Sequence, residues 1–177
     1  MGVKLLPLSV AELCAHALEL ERDAGMRFRD YAARMREIGA ERTATAFDDF
    51  RQEQDEEVRA LETAAGEHKT IELSPWEYVW RLNYMPDGVD DKPRLVPMNA
   101  REALQLATLA KRRAEAFYSD VAENARDAIV RTCAAEMAAG EQGQIKRLEH
   151  LLKAEMRDTQ AGGASGFGDM RSSRLPS

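Results

Sequence analysis

The sequence has few of the residues that mark several protein classes. Its two cysteines, Cys14 and Cys133, are far apart and outside any C-x-x-C motif, which argues against a zinc knuckle, a rubredoxin-type iron site and a disulfide scaffold. No stretch approaches the ~20 apolar residues that span a bilayer, and the apolar stretch before Pro7 is too short for a secretory signal. We therefore expect a cytoplasmic protein without a membrane partner.

Basic clusters are also missing. The 177 residues include 31 acidic and 25 basic side chains, with a net charge of −6 and no basic block, so nucleic acid is not the expected partner. Hydrophobic residues make up 44% of the chain and charged residues 32%, a composition that is typical of a globular domain.

Aromatic residues are scarce as well, at 6%, and this scarcity in an alanine-rich sequence favours packed helices over sheets. Four segments carry helical periodicity: one capped by Ser9 and ended by Gly39, one over about residues 43–65, one starting at Asn99, and one running from Asp127 to about residue 157. The sequence therefore predicts an all-α fold, an antiparallel four-helix bundle built from two hairpins.

A long connection separates the two predicted hairpins. Residues 66–98 contain four prolines and a short helix predicted over residues 76–82, which would lay Trp76, Tyr78 and Trp80 on the bundle. A long crossover between helices two and three explains a connection of this length. We assign residues 1–157 to the bundle and predict that the Gly/Ser-rich residues 158–177 form a disordered tail.

Each predicted helix carries a polar interruption in its apolar stripe. The interrupting residues are Glu21 on helix one, Glu53 and Glu56 on helix two, Lys111 on helix three, and Glu141 with Gln144 on helix four. A buried charge costs several kcal/mol unless it is paired or bound to a metal. Four helices with polar groups near their middles therefore predict a shared polar centre.

The two hairpins also repeat each other. The spacing Glu21-x-x-Ala24-x-x-x-Phe28 on helix one matches Lys111-x-x-Ala114-x-x-x-Tyr118 on helix three. This correspondence indicates a duplicated hairpin folded around the polar centre.

These features resemble the rubrerythrin-like branch of the ferritin-like superfamily, over roughly residues 9–157. The segments with the texture of that family are ERDAGMRFRDYA, FRQEQDEE, RRAEAFYSDVAEN and AAEMAAGEQGQIKRLEHLL. In the family, helices one and three each supply a Glu, helices two and four each supply Glu-x-x-His, and the six groups hold two metal ions. Glu21, Glu53 and Glu141 match three of the Glu ligands. The resemblance implies a ferritin-like, diiron-carboxylate bundle and a metal-dependent oxidoreductase or iron-handling protein.

Three of the six expected ligands are replaced in this chain. Lys111 stands where the family has its helix-three Glu, while Glu56 and Gln144 stand where it has histidines. His16, His68 and His150 are too far along the sequence to substitute for them. A lysine ammonium repels metal cations and can hydrogen-bond two or three carboxylates itself.

Charge counting leaves two interpretations open. Glu21, Glu53, Glu56 and Glu141 against Lys111 leave a local charge of −3, and this crowding should raise the pKa of at least one Glu until it holds a proton. In the first interpretation these four carboxylates bind iron, or a single divalent metal, and an external electron donor completes an oxidoreductase. In the second, no metal is bound, and a buried Lys111–carboxylate network serves a structural or binding protein. Either form is expected to be a homodimer or higher homo-oligomer, by analogy with other ferritin-like bundles.

Overall fold

The computed structural model describes residues 6–67 and 96–164, and this part of the chain consists of four helices without a strand. Helix α1 spans Val10–Glu37 and α2 spans Glu41–Glu67. Helix α3 spans Ala100–Asn124 and α4 spans Ala128–Ala164. The prediction of an all-α four-helix bundle is confirmed.

The predicted capping residues start their helices through side-chain hydrogen bonds. Ser9 Oγ accepts from the backbone N–H of Glu12 at 3.2 Å, and Asn99 Oδ1 accepts from that of Glu102 at 2.9 Å. Asp127 Oδ1 accepts from two N–H groups in the first turn of α4, at 2.7 and 3.1 Å. Each cap satisfies backbone donors that the helix leaves without partners.

Some boundaries differ from those predicted. Helix α2 begins at Glu41, and α4 continues to Ala164, seven residues past the predicted end at residue 157. The first part of the predicted tail is therefore helical. The short helix predicted over residues 76–82, with its aromatic side chains, and the tail from residue 165 onward lie outside the described residues.

Two apolar clusters give the directions of the helices. The first joins the C-terminal half of α1 to the N-terminal halves of α2 and α3 and to the C-terminal part of α4, with Phe28, Phe47, Leu104 and Leu148 among its members. The second joins the N-terminal halves of α1 and α4 to the C-terminal half of α3. Helices α2 and α3 therefore run parallel.

Both hairpins pack tightly within themselves and face each other across the bundle axis. The interhairpin space is apolar at both ends, and the polar residues of the predicted centre lie between the two clusters. None of the helices in residues 6–67 and 96–164 is both long and apolar enough to cross a membrane.

Candidate functional site

A buried polar cluster lies at mid-height in the bundle, with side chains from all four helices. Its fully buried members are Glu21 on α1, Gln54 on α2, Lys111 on α3, and Glu141 with Gln144 on α4. Each is 5% exposed or less, so water cannot solvate these groups and their hydrogen bonds must come from one another. We call this set, together with Glu57 and Tyr118, the central cluster.

Lys111 lies at the middle of the central cluster. Its Nζ donates to Gln54 Oε1 at 2.7 Å, to Glu141 Oε1 at 2.9 Å and to Glu21 Oε2 at 3.1 Å. An ammonium has three N–H donors, and the three acceptors come from three different helices. Lys111 thus ties both hairpins together with all of its donors in use.

A second layer of hydrogen bonds surrounds these contacts. Tyr118 donates its hydroxyl to Glu21 Oε1 at 3.2 Å. Glu57, partly buried on α2, accepts from Gln54 Nε2 at 2.9 Å and from Gln144 Nε2 at 3.2 Å. Gln54 Nε2 also lies 3.4 Å from Gln144 Oε1, so the two amides connect Glu57 to the centre.

Both burial and neighbouring charges shift the pKa values of the central cluster. Burial opposes the ammonium of Lys111, but the facing carboxylates of Glu21 and Glu141 outweigh it and raise the pKa of Lys111 above its ordinary value. Burial raises the pKa of Glu141 to about 8 although Lys111 lowers it, and Glu21 adds to the rise. Burial and the charge of Glu21 raise the pKa of Glu57 to about 7. These raised pKa values agree in direction with the expectation for at least one Glu, although burial is a larger cause than the crowding of like charges.

One oxygen of Glu141 is available to carry a proton. Glu141 Oε2 is buried and has no hydrogen-bond partner among the described residues. The Glu141 and Glu21 side chains are close enough for a hydrogen bond, an interaction that itself raises the pKa of Glu141. A protonated Glu141 could donate to Glu21 while its Oε1 still accepts from Lys111.

The structure brings together Glu21, Lys111, Glu141 and Gln144, four of the six residues predicted at the centre. The predicted inward position of Glu53 and Glu56 is wrong. Glu53 lies at the surface and pairs with Arg147, whose Nη1 donates to its Oε1 at 2.6 Å, and Glu56 is exposed. Both keep their charge in contact with water, which avoids the desolvation cost of an interior position.

Gln54 and Glu57, one residue further along α2, take the inward positions, and the sequence prediction missed them. Steps of three and four residues that start from the buried Phe47 and Phe50 lead to Gln54, Glu57 and Leu61. Those phenylalanines were the signal that identifies the correct face. The run of polar residues from 52 to 57 hid it, because each neighbouring face has a similar polarity.

The solved structure of an uncharacterised conserved protein from Magnetospirillum magnetotacticum MS-1 is similar to this chain, with a TM-score of 0.69 and 26% sequence identity. The match covers 82% of this chain and 95% of that protein. The two proteins therefore share the same helical fold. No protein-family model and no curated protein matches the sequence.

The corrected face of α2 shows how far the central cluster departs from the pattern of six ligands. Compared with the family that the sequence resembles, Glu21 and Glu141 match Glu positions, Gln54 and Lys111 stand at the other two Glu positions, and Glu57 and Gln144 stand at the two histidine positions. His16 is buried against Phe117 and His150 is exposed; His68 lies outside the described residues.

A dinuclear centre does not fit this set of side chains. Two divalent ions bring a charge of +4, whereas three carboxylates and one ammonium supply −2. Glu21, Glu57 and Glu141 each offer an oxygen, and these oxygens lie within 4.8 Å of one another. The cluster therefore has carboxylates for at most one cation, and Lys111 already contacts two of them.

Proposed function

We propose that this chain is a ferritin-like bundle in which the Lys111 ammonium takes the place of the metal ions, and that it serves as a structural or binding protein. The observation that carries the proposal is the position of Lys111 Nζ, with oxygens of Glu21, Gln54 and Glu141 at 2.7 to 3.1 Å. A cation built into the chain makes a bound metal unnecessary for charge balance.

The charges of the central cluster support this proposal. Three carboxylates and one ammonium leave −2, and the raised pKa values of Glu141, about 8, and of Glu57, about 7, bring the charge to between about −1 and 0 near neutral pH. The remaining negative charge is that of Glu57, which is partly exposed to water. The neutral amides of Gln54 and Gln144 provide hydrogen bonds without further charge, so the cluster is close to neutral without any ion.

Metal analysis of protein produced with iron, manganese and zinc supplied tests the proposal. We expect less than about 0.1 metal ion per chain at neutral pH, because the ammonium repels cations from its acceptors. About two iron atoms per chain would contradict the proposal and return the protein to the oxidoreductase or iron-handling class.

A second candidate function rests on the three carboxylates. A single hard cation with oxygen ligands fits Glu21, Glu57 and Glu141, and the unpartnered Oε2 of Glu141 offers it a lone pair. Such an ion would compete with Lys111 for Glu21 and Glu141. With iron in this position and an external electron donor, metal-dependent oxidoreductase chemistry would be available.

Titration with Mn²⁺, followed by calorimetry, separates the two candidates. The cation candidate predicts binding of one Mn²⁺ per chain, loss of binding in Glu57→Gln, and tighter binding in Lys111→Met, which removes the competing ammonium. Glu56→Gln is the matched control, because Glu56 is exposed one residue away on the same helix. Absence of Mn²⁺ binding in the unsubstituted protein would contradict the cation candidate and support the ammonium-centred bundle.

A further inference from the structure

The outer face of α4 is a helix face without a partner in the described part of the chain. Its side chains follow one another at steps of three and four residues, and they are Thr132, Glu136, Ala139, Gly143, Lys146 and His150. All six are exposed. The central cluster uses the opposite face of the same helix, where Glu141 and Gln144 point inward.

Two glycines on this helix have no function in the packing of the described residues. A Cβ added to Gly140 or Gly143 would meet nothing within 4 Å, so alanine would fit at either position. Each glycine in a helix interior costs about 1 kcal/mol relative to alanine. Glycine is typical of places where another backbone approaches closely, and no backbone in residues 6–67 or 96–164 approaches this face.

The charges on the face are arranged symmetrically about its small residues. Glu136 lies three residues before Ala139, and Lys146 lies three residues after Gly143. If two copies of α4 cross in opposite directions, with Ala139 of each against Gly143 of the other, Glu136 of each copy faces Lys146 of the other. Neither charge has an ion-pair partner among the described residues.

We propose that two copies of this chain associate through this outer face of α4 as an antiparallel, two-fold symmetric pair. A partner with one sign of charge would match only half of the face, because Glu136 and Lys146 carry opposite charges on either side of the crossing point. An inverted second copy matches both halves, as an interface between identical surfaces requires. The small side chains at the crossing point let the two helices approach closely.

Charge reversal tests the pairing in the full-length protein by sedimentation equilibrium. Glu136→Lys and Lys146→Glu should each raise the dimer dissociation constant about tenfold or more, because each creates two like-charge contacts at the symmetric interface. The double variant restores opposite charges and should return the constant to within about threefold of the original. Glu123→Lys, an exposed reversal on α3, is the control and should leave association unchanged.

A steric variant separates association from folding. Gly143→Leu enters open space in the single chain and improves helix propensity, so its thermal stability as a monomer should not fall. The proposal predicts that this variant dissociates at concentrations at which the unsubstituted protein is dimeric. A protein that is monomeric at every concentration would overturn the proposal, as would a dimer that neither reversal weakens or single-variant losses that the double variant fails to recover.

Discussion

Lys111 on α3 donates its shortest hydrogen bond, at 2.7 Å, to the amide oxygen of Gln54 on α2. The acceptor is a neutral amide although the next three residues along the chain, up to Glu57, are all acidic. A carboxylate at position 54 would raise the number of buried negative groups around one ammonium. Instead, the amide oxygen of Gln54 is the third acceptor of Lys111, and its amide nitrogen donates a hydrogen bond to Glu57.

Lys111→Met should reduce the free energy of unfolding by ~3 kcal/mol or more. Methionine has a similar volume but leaves Glu21 and Glu141 buried without a counter-ion, and a broken buried ion pair costs about 3–5 kcal/mol. Urea denaturation at pH 7 measures the loss. Arg147→Met is the control, because it breaks an ion pair with Glu53 at the surface, where about 1 kcal/mol or less is expected. Equal losses in the two variants would contradict the central position of Lys111.

Stability should fall as pH rises from about 5 to about 8. The pKa values of Glu57 and Glu141 rise in the folded protein from an ordinary 4.5 to about 7 and about 8. Between these limits the folded protein holds protons that the unfolded chain has lost, so raising the pH favours unfolding. The charged groups that face Glu141 are Glu21, Glu57 and Lys111. The pKa of Lys111 is also raised in the folded protein, so its contribution to stability is likewise lost as pH rises, but only in strongly alkaline solution.

Glu141→Gln should remove much of this pH dependence while preserving the fold. Its amide oxygen can accept from Lys111 and its amide nitrogen can donate to Glu21, which reproduces the protonated carboxyl group. Denaturation measured at intervals from pH 5 to pH 9 should give a smaller slope than in the unsubstituted protein. Glu53→Gln at the surface is the control and should leave the slope unchanged. A slope that Glu141→Gln does not alter would show that Glu141 is ionised throughout.

Four substitutions should create the metal centre that the family pattern requires. Gln54→Glu, Glu57→His, Lys111→Glu and Gln144→His, together with the native Glu21 and Glu141, supply four carboxylates and two imidazoles. We expect about two metal ions per chain, measured by elemental analysis after loading with Fe²⁺ or Co²⁺. The control has Glu53, Gln54 and Glu57 unchanged and places its helix-two histidine at Glu56, which is exposed. Equal loading of the two proteins would refute the corrected face of α2.

Two glycine-to-alanine changes should have opposite signs. A Cβ on Gly25 would lie 3.6 Å from Gln54 Cβ, an ordinary contact, so Gly25→Ala should add roughly 0.5–1 kcal/mol through helix propensity. Gly39, between α1 and α2, has φ of +76°, where alanine costs about 1–2 kcal/mol. Chemical denaturation of both variants checks the signs, and a destabilised Gly25→Ala would show that α1 and α2 are closer than described.

The capped starts of α1 and α3 and the residues with isolated charges were predictable from the sequence because each carries a local signal. Ser9 and Asn99 cap helices through contacts within one turn, and Lys111 interrupts a stripe that is otherwise apolar. The interruption at Glu21 is equally clear. Such positions need only helical periodicity to be recognised.

The face of α2 could not be decided in this way because its middle is polar all round. Glu53, Gln54, Glu56 and Glu57 differ little in hydropathy, so the choice between them depends on what lies opposite in the folded bundle. Arg147 on α4 attracts Glu53 to the surface, and Lys111 selects Gln54. Both partners are distant in the sequence, and the pairing exists only after the hairpins have packed.

The division of the central cluster between the two hairpins has a consequence for how the chain folds. Each hairpin can form from neighbouring residues, but the α1–α2 hairpin alone presents Glu21 and Glu57 on its apolar face without a cation. The cation that neutralises this face is on the other side of the long crossover. The two halves of the chain therefore recognise each other by charge as well as by shape, and a hairpin that pairs with the wrong apolar surface leaves its carboxylates without Lys111.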